Sequence, residues 1–293
     1  MRIGIDLGGT KTEGALVDSG GSVVARERRA TPRDGGYLAI LELTVSLIYD
    51  LERRAGGHCS VGVAAPGAVD PEGCIKNSNT QCLIGEPFQR DLETRLSRPI
   101  RIENDANCFA LAEALFGAGQ DMPSVFGVIM GTGVGGGIVI QKTLHTGLQH
   151  IAGEWGHNSL NPDGPPCYCG QRGCIETYLS GPGFLADYQR LGGVSAKTPE
   201  AVVSQADTGD PTAEQALDNL LDRFGKALAG VINILDPHVI VLGGGLSNIG
   251  QLYEYGPRHI EKYVFNPVLQ TPLRRNVNGD SAGVLGAARL WDA

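Results

Sequence analysis

Apolar runs interrupted by short glycine-rich turns recur along the chain, in the pattern of strands that enter and leave tight turns. Residues 3–18 read IGIDLGGTKTEGALVD, which is an apolar strand, a polar glycine turn and a second apolar strand. Residues 126–141, FGVIMGTGVGGGIVIQ, repeat this arrangement, and a third apolar run at residues 239–242 also ends in glycines. Such runs predict strands, and the repeat predicts two related lobes.

Segments with helical spacing separate these strands. Apolar residues recur at three-and-four spacing over residues 213–235, and residues 38–54 are amphipathic, so both segments are predicted helices. Another helix is predicted over residues 106–116, and a last one over about 281–291 is expected to pack back on the first lobe. Strands that alternate with helices indicate an α/β fold.

The boundary between the lobes is expected near residues 117–123, a glycine-rich stretch that ends in proline. This division gives a small N-terminal α/β lobe of residues 1–118 plus 281–293, and a larger C-terminal α/β lobe of residues 119–280. A chain of 293 residues is long enough for two such lobes with substantial cores.

Composition and charge narrow the class of protein. The 24 basic and 32 acidic residues give a net charge of −8 without long runs, so no basic surface for nucleic acid is expected. No apolar stretch approaches the ~18 residues that span a bilayer, and no leader precedes the first strand, so no membrane partner is expected. Seven cysteines, three of them crowded together, fit a reducing cytoplasm better than a disulfide scaffold.

The turn at residues 6–11, DLGGTK, lies between two strands. A dinucleotide fingerprint must open a helix and a phosphate loop ends in Gly-Lys-Ser/Thr, so both are excluded. Glycine turns still let backbone N–H groups converge on phosphate oxygens, and Asp6 can hold Mg²⁺ through its water shell. An ordinary β-hairpin has the same pattern, but a second such turn favours a nucleotide site. The candidate phosphate ligands are Gly8, Gly9, Thr10, Lys11, Gly131, Thr132 and Gly133.

Asn104 and Asp105 stand where a helix is about to begin. An aspartate at this place is favoured in its ionised form by the helix dipole. The pair fits a plain N-terminal helix cap, and it also fits a carboxylate held ready for chemistry.

A second cluster combines one imidazole and three thiols: His157, Cys167, Cys169 and Cys174. This is the ligand set of a closed, structural zinc site, and Gly170 and Gly173 relieve the turns between the thiols. Free thiols in a surface loop are the alternative. The other cysteines, at positions 59, 74, 82 and 108, are unclustered and are expected to be ordinary apolar residues.

Two carboxylates flank this cluster, Glu154 and Glu176. A carboxylate can accept hydrogen bonds from two adjacent sugar hydroxyls and so discriminate between substrates, whereas a solvated surface charge is the alternative. Asn79 is a weaker candidate for a sugar contact, because an asparagine-rich turn has the same sequence.

The order of these motifs resembles the ROK family of sugar kinases and repressors, in the actin-like ATPase superfamily. The resemblance covers essentially the whole chain. Within the family, the chain is most similar to bacterial fructokinases of the manno(fructo)kinase type. The matching motifs are DLGGTKT at 6–12, AAPGAVD at 64–70, ENDAN at 103–107, MGTGVGGGI at 130–138, GEWGH at 153–157, CYCGQRGCIE at 167–176 and VIVLGGG at 239–245.

The resemblance implies a two-lobed actin-like, ribonuclease H-like fold with ATP and sugar in the interlobe cleft, and a homodimer. It implies that Asp105 accepts the proton of the sugar hydroxyl and that Asn104 hydrogen-bonds the sugar. Glu154, His157 and Glu176 would meet the sugar ring, so His157 would serve both the zinc and the sugar. Gly243, Gly244 and Gly245 would lie near the adenosine.

The expected activity is transfer of the γ-phosphoryl group of ATP, with Mg²⁺, to the 6-hydroxyl of D-fructose, and possible use of mannose as well. Glucose and the N-acetylhexosamines are alternatives, because the motifs are shared among these kinases. A non-catalytic sugar sensor is the alternative from another class. The repressors of the family carry an N-terminal DNA-reading segment, whereas the first strand here is expected to begin at residue 2.

Overall fold

A computed structural model describes residues 1–70, 72–78 and 80–292. The strands are β1 Arg2–Leu7, β2 Lys11–Val17, β3 Val23–Ala30, β4 Ser60–Ala65, β5 Ala68–Val69, β6 Ile75–Lys76, β7 Arg101–Asn104, β8 Ser124–Met130, β9 Val134–Ile140, β10 Thr143–Leu144, β11 Val239–Gly243 and β12 Leu273–Arg275. The helices are α1 Gly36–Ala55, α2 Phe88–Leu96, α3 Asp105–Phe116, α4 Glu176–Leu179, α5 Gly181–Arg190, α6 Pro199–Asp207, α7 Pro211–Leu235, α8 Gln251–Glu254, α9 Gly256–Glu261 and α10 Ala282–Ala288. The predicted α/β class is confirmed.

The chain divides into two compact units. Unit 1 contains Met1–Asp121, Gly137–Ala152 and Val277–Ala293, and unit 2 contains Met122–Gly136 and Gly153–Asn276. The division expected from the sequence kept the segment Gly137–Ala152 with the C-terminal lobe. The difference arises because the second half of β9 packs on α3, where Gly137 approaches the backbone of Asn107.

Unit 1 is built on a five-stranded sheet of order β3-β2-β1-β4-β7. β1 pairs antiparallel with β2 and parallel with β4, and β4 pairs parallel with β7. Helix α1 covers one face, where Leu47 and Leu51 pack near Gly14 and Ile5 in the apolar core. The predicted helix at 38–54 is therefore confirmed, with its apolar side on this sheet.

The other face of the same sheet is covered by α10. Gly4 and Gly62 are register partners on β1 and β4, and a Cβ on either would overlap the backbone carbonyl of Val284 or Ala287. Gly286 packs equally closely on the backbone of α3 at Cys108. The backbone of α10 thus lies directly on the sheet, which confirms that the last helix packs back on the first lobe.

Unit 2 contains the strands β8, β11 and β12, which are parallel to one another within a sheet of order β10-β9-β8-β11-β12. Its longest helix is α7. The side chain of Asp210 accepts a hydrogen bond from the N–H of Ala213 and Pro211 occupies the first turn, so α7 begins two residues before the predicted start. Its apolar stripe, with Leu220, Phe224 and Leu228, is buried as predicted.

None of the helices in the described part of the chain combines the length and the apolar character that crossing a membrane requires.

Candidate active site

The first glycine turn lies at the carboxyl end of β1 in unit 1. The N–H of Gly8 donates to the carbonyl of Lys11, and the hydroxyl of Thr31 donates to the carbonyl of Gly8 at 2.7 Å. Thr10 and Lys11 are exposed, and a Cβ on Gly9 would meet nothing within 4 Å. Hydrogen bonds therefore fix the conformation of the turn at Gly8, while Gly9, Thr10 and Lys11 remain accessible to a ligand.

Asp6 and Asn104 lie at the carboxyl ends of β1 and β7, the two strands that flank β4 and run parallel to it. Asp6 pairs in register with Ala64 of β4, and Asn104 of β7 pairs with Ala65. The carboxyl ends of parallel strands meet at one sheet edge, so the fold brings together three predicted features: Asp6, the first glycine turn and the Asn104–Asp105 pair. Asn79 lies outside the described residues.

Asn104 caps helix α3. Its Oδ1 accepts hydrogen bonds from the N–H groups of Ala106 at 2.8 Å and Asn107 at 3.4 Å, and its Nδ2 donates to the carbonyl of Gly67 at 2.8 Å. The plain interpretation as a helix cap is thus correct for Asn104. Because Asn104 does the capping, the neighbouring Asp105 is not needed for it.

Asp105 has an exposed side chain whose Oδ1 accepts the N–H of Ala106 at 2.9 Å. Crowding by surrounding protein removes part of the hydration of its carboxyl and raises its pKa above the usual aspartate value, while the N–H groups of Ala106 and of Asp105 itself offset part of the rise. The sequence predicted that the helix dipole favours ionisation of this group. Desolvation acts in the opposite direction, and the pKa of this carboxyl is raised.

The second and third glycine turns lie side by side in unit 2. Gly131–Gly133 follows β8 and Gly243–Gly245 ends β11, and these strands are paired with Gly243 opposite Ile129. Gly244 has a φ of 78°, and a Cβ there would lie 2.5 Å from the carbonyl oxygen of Met130. Glycine is needed at this position by conformation and by space. Open space lies before Gly131 and Gly245, where an added Cβ would meet nothing within 4 Å.

The structure brings the four predicted metal ligands together. The candidate ligand atoms of His157, Cys167, Cys169 and Cys174 all lie within 4.8 Å of one another. Nδ1 of His157 is 3.6 Å from Sγ of Cys167, and Sγ of Cys169 is 3.6 Å from Sγ of Cys174. Three sulfurs and one nitrogen at this mutual spacing fit a tetrahedral zinc ion, whose bonds to sulfur are ~2.3 Å long.

Backbone pairing shapes the loop around this cluster. The N–H of Leu160 donates to the carbonyl of Gly173, and the N–H of Ile175 donates to the carbonyl of Asn158. Gly170 and Gly173 have φ values of 89° and 61°, as expected for the glycines that relieve the turns between the thiols.

The negative charges of Glu154 and Glu176 act on Tyr168, the residue between two of the cysteines of the cluster. Partial burial raises the pKa of Tyr168 well above its usual range, and the carboxylates of Glu176 and Glu154 raise it further. The Tyr168 hydroxyl lies 3.2 Å from Nε2 of His157. The sequence did not single out Tyr168, although its position between two metal ligands, Cys167 and Cys169, is a usable signal.

Comparison with known proteins assigns the chain to a family. The model of the ROK family matches residues 2–293. An N-acetyl-D-glucosamine kinase of Vibrio cholerae serotype O1 is 37% identical over 301 residues, with 99% of each chain covered.

Two solved structures extend this comparison. A ROK hexokinase from Thermus thermophilus superposes with a TM-score of 0.86 at 33% identity, covering 98% of this chain and 96% of that one. A ROK glucokinase from Streptomyces griseus, in complex with glucose and AMPPNP, gives a TM-score of 0.81 at 29% identity, with 99% and 98% covered. These likenesses confirm the predicted actin-like ATPase fold.

Proposed function

The chain belongs to the ROK family, and we propose that this ROK sugar kinase transfers the γ-phosphoryl group of ATP to the 6-hydroxyl of N-acetyl-D-glucosamine. The observation that carries the choice of sugar is the full-length likeness to an N-acetyl-D-glucosamine kinase at 37% identity. D-Fructose, the sugar expected from the overall resemblance to fructokinases, has no comparable support. Glucose is the second candidate, favoured by the likeness to a glucokinase in complex with glucose.

In this proposal the nucleotide is held by the glycine turns. Gly8, Gly9, Thr10 and Lys11 of the first turn and Gly131, Thr132 and Gly133 of the second would contact its phosphates, and Gly243, Gly244 and Gly245 would lie near the adenosine. The open space at Gly9, Gly131 and Gly245 supports this role, because an added Cβ at each would meet nothing within 4 Å and a ligand can therefore approach the backbone closely.

Asp6 is the residue that fits Mg²⁺. It is a carboxylate at the end of β1, beside the first glycine turn, and a Cβ on Gly283 would lie 2.7 Å from its Cγ, so a glycine leaves room for it. Asp6 would hold the ion through water, and the bound ion would neutralise charge on the phosphates.

Asp105 is the proposed general base. Phosphoryl transfer passes through a loose transition state, so the hydroxyl proton leaves late and a carboxylate aimed at it suffices. The raised pKa of Asp105 supports the role, because a stronger base accepts the proton more readily once it is ionised. Asn104 would hydrogen-bond the sugar with the remaining hydrogen of its amide.

The other proposed sugar contacts come from residues of unit 2. Glu154 and Glu176 would accept hydrogen bonds from the hydroxyls of the sugar ring, and His157 would border it. Zinc would be held by His157 and three thiols, and four protein ligands leave no open position, so it would order the loop.

The resemblance to the family also leads us to propose a homodimer, which sedimentation velocity would test.

The proposed function is tested by an assay of ADP release with ATP and Mg²⁺ against N-acetyl-D-glucosamine, N-acetyl-D-mannosamine, glucose, mannose and fructose. The highest kcat/KM with N-acetyl-D-glucosamine is expected. A preference for glucose or fructose would overturn the substrate and keep the kinase. Absence of turnover with every sugar, together with thermal stabilisation by one of them, would support the non-catalytic sensor instead.

A further inference from the structure

Two side chains hold the start of β9, directly after the second glycine turn. Oε2 of Glu176 accepts the N–H of Val134 at 2.9 Å, and the indole Nε1–H of Trp155 donates to the carbonyl of Gly135 at 3.0 Å. The turn itself is closed by the N–H of Gly131, which donates to the carbonyl of Gly133. The backbone that follows the turn is therefore fixed on both its donor and its acceptor side.

Glycines make this close grip possible. A Cβ on Gly133 would lie 2.7 Å from Oε2 of Glu176, and one on Gly136 would lie 2.8 Å from Cδ1 of Trp155. A Cβ on Gly156 would overlap the carbonyl of Val134. Each glycine thus allows a close contact that the Cβ of any other residue would prevent sterically.

Both holding residues are neighbours of metal ligands in the chain. Trp155 comes two residues before His157, and Glu176 comes two residues after Cys174. The two segments are also joined by the hydrogen bond from the N–H of Ile175 to the carbonyl of Asn158. Trp155 is buried and packs edge-on against Phe126 of β8, with ring centroids 5.7 Å apart. Trp155 and Glu176 are therefore linked to the cluster through short stretches of chain and through this hydrogen bond.

We propose that Trp155 and Glu176 are positioning residues for the nucleotide: they hold the Gly131–Gly133 turn in its phosphate-binding form, and the Cys₃His cluster holds them in place. Metal binding would then affect the affinity for the nucleotide as well as the affinity for the sugar. The two carboxylate oxygens of Glu176 would have different partners: Oε2 accepts the N–H of Val134, and Oε1 would face the sugar. This inference rests on the proposed function, because it assigns a nucleotide phosphate to the turn.

The first test compares matched tryptophan variants in the zinc-loaded protein. Trp155→Phe keeps an aromatic ring and removes the indole N–H. Trp291→Phe is the control, because Trp291 Nε1 donates to the carbonyl of Val61 in unit 1 in the same way. A lost hydrogen bond corresponds to a roughly two- to tenfold effect on an equilibrium. We expect Trp155→Phe to raise the Kd for a fluorescent ATP analogue about two- to tenfold and to speed hydrogen exchange at Val134 and Gly136. Trp291→Phe is expected to change neither quantity.

Glutamate variants separate the two uses of Glu176. Glu176→Gln keeps an oxygen that accepts the N–H of Val134, so the nucleotide Kd is expected to stay within about twofold while the KM for the sugar rises. Glu176→Ala removes the acceptor, so the nucleotide Kd and exchange at Val134 are expected to rise as well. Equal nucleotide affinity and exchange in both variants, with zinc retained, would overturn the holding role.

Metal removal is the third arm. After chelation, exchange over residues 131–136 is expected to accelerate while exchange over residues 8–11 of unit 1 stays the same. Global unfolding would accelerate both segments, and the zinc-loaded Trp155→Phe protein then decides the proposal. Failure of the zinc-loaded wild type to bind the nucleotide analogue would overturn the proposed function, and the exchange measurements would still decide whether Trp155 and Glu176 hold the turn.

Discussion

The hydroxyl of Tyr168 lies 3.2 Å from Nε2 of His157, while Nδ1 of the same ring faces Sγ of Cys167 at 3.6 Å. The rings of Tyr168 and His157 meet edge-on at an interplanar angle of 90°. If Nδ1 holds the metal, the proton would lie on Nε2, which would donate to the tyrosine oxygen. Tyr168 would then fix the tautomer and the orientation of the imidazole.

Tyr168→Phe is expected to weaken metal binding about 10- to 100-fold, because partners of this kind contribute that much to metal affinity. Competition with a coloured zinc chelator measures the effect. Tyr263→Phe is the matched control, since its hydroxyl binds the carboxylate of Asp222, in a helix that supplies no metal ligand. Equal zinc affinity in the two variants would refute the role of Tyr168.

Asp105→Asn is expected to lower kcat about 10²- to 10⁴-fold, the range for loss of a general base. The Kd for the sugar is expected to stay within a few-fold, because Asn keeps the shape and polarity of the side chain. Single-turnover kinetics with a titration of sugar binding separate the two effects. A kcat within threefold of the wild type would show that Asp105 is not the base.

The pH dependence of kcat/KM is expected to show an acidic limb that belongs to Asp105. The base must be ionised, and its pKa is raised by desolvation, so activity is expected to fall with decreasing pH at values above the ordinary aspartate range. A limb at or below the pKa of an unperturbed aspartate, ~3.9, would contradict this assignment.

The same raised pKa has a consequence for stability. The folded protein binds the proton of Asp105 more tightly than the unfolded chain, so the free energy of unfolding decreases as the pH rises from the unfolded pKa to the folded pKa. Above the folded pKa, Asp105→Asn is expected to be more stable than the wild type. The difference is expected to narrow as the pH falls through this window, and thermal melts from pH 4 to pH 8 would measure it.

Gly4→Ala is expected to destabilise unit 1 by about 1–3 kcal/mol or more, because the added methyl group would overlap the carbonyl of Val284 and α10 would have to move. Gly57→Ala is the control, since a Cβ there meets nothing within 4 Å. Urea unfolding of the two variants measures the difference. Equal midpoints would show that α10 does not lie directly on β1 in solution.

Local patterns predicted the elements that carry their own signals. The start of α3 followed from Asn104, whose side chain caps the helix, and the metal cluster followed from close spacing of His157 and three cysteines. The cap signal lies directly beside the helix that it begins, and the four metal ligands all lie within residues 157–174. The stripe of α7 was equally visible, because three-and-four spacing records which face is buried.

Contacts between distant segments left no comparable signal. The hydrogen bond from Val134 to Glu176 joins residues 42 positions apart, and nothing near either residue announces it. The raised pKa of Asp105 depends on the protein packed around it, whereas the sequence showed only the helix dipole. The choice of sugar was also beyond the motifs, because the kinases of the family share them, and full-length similarity was needed to favour N-acetyl-D-glucosamine.

The placement of α10 has a consequence for synthesis of the protein. Gly4 and Gly62 are made early, but the helix that covers them follows all of unit 2 in the chain. At ~5–20 residues per second, a ribosome needs roughly 10–30 s to travel from the end of the first segment of unit 1 to α10. During that time unit 2 can fold, while the α10 face of the first sheet stays open to water and to chaperones. The sheet that begins the protein is therefore expected to be the last part of it to close.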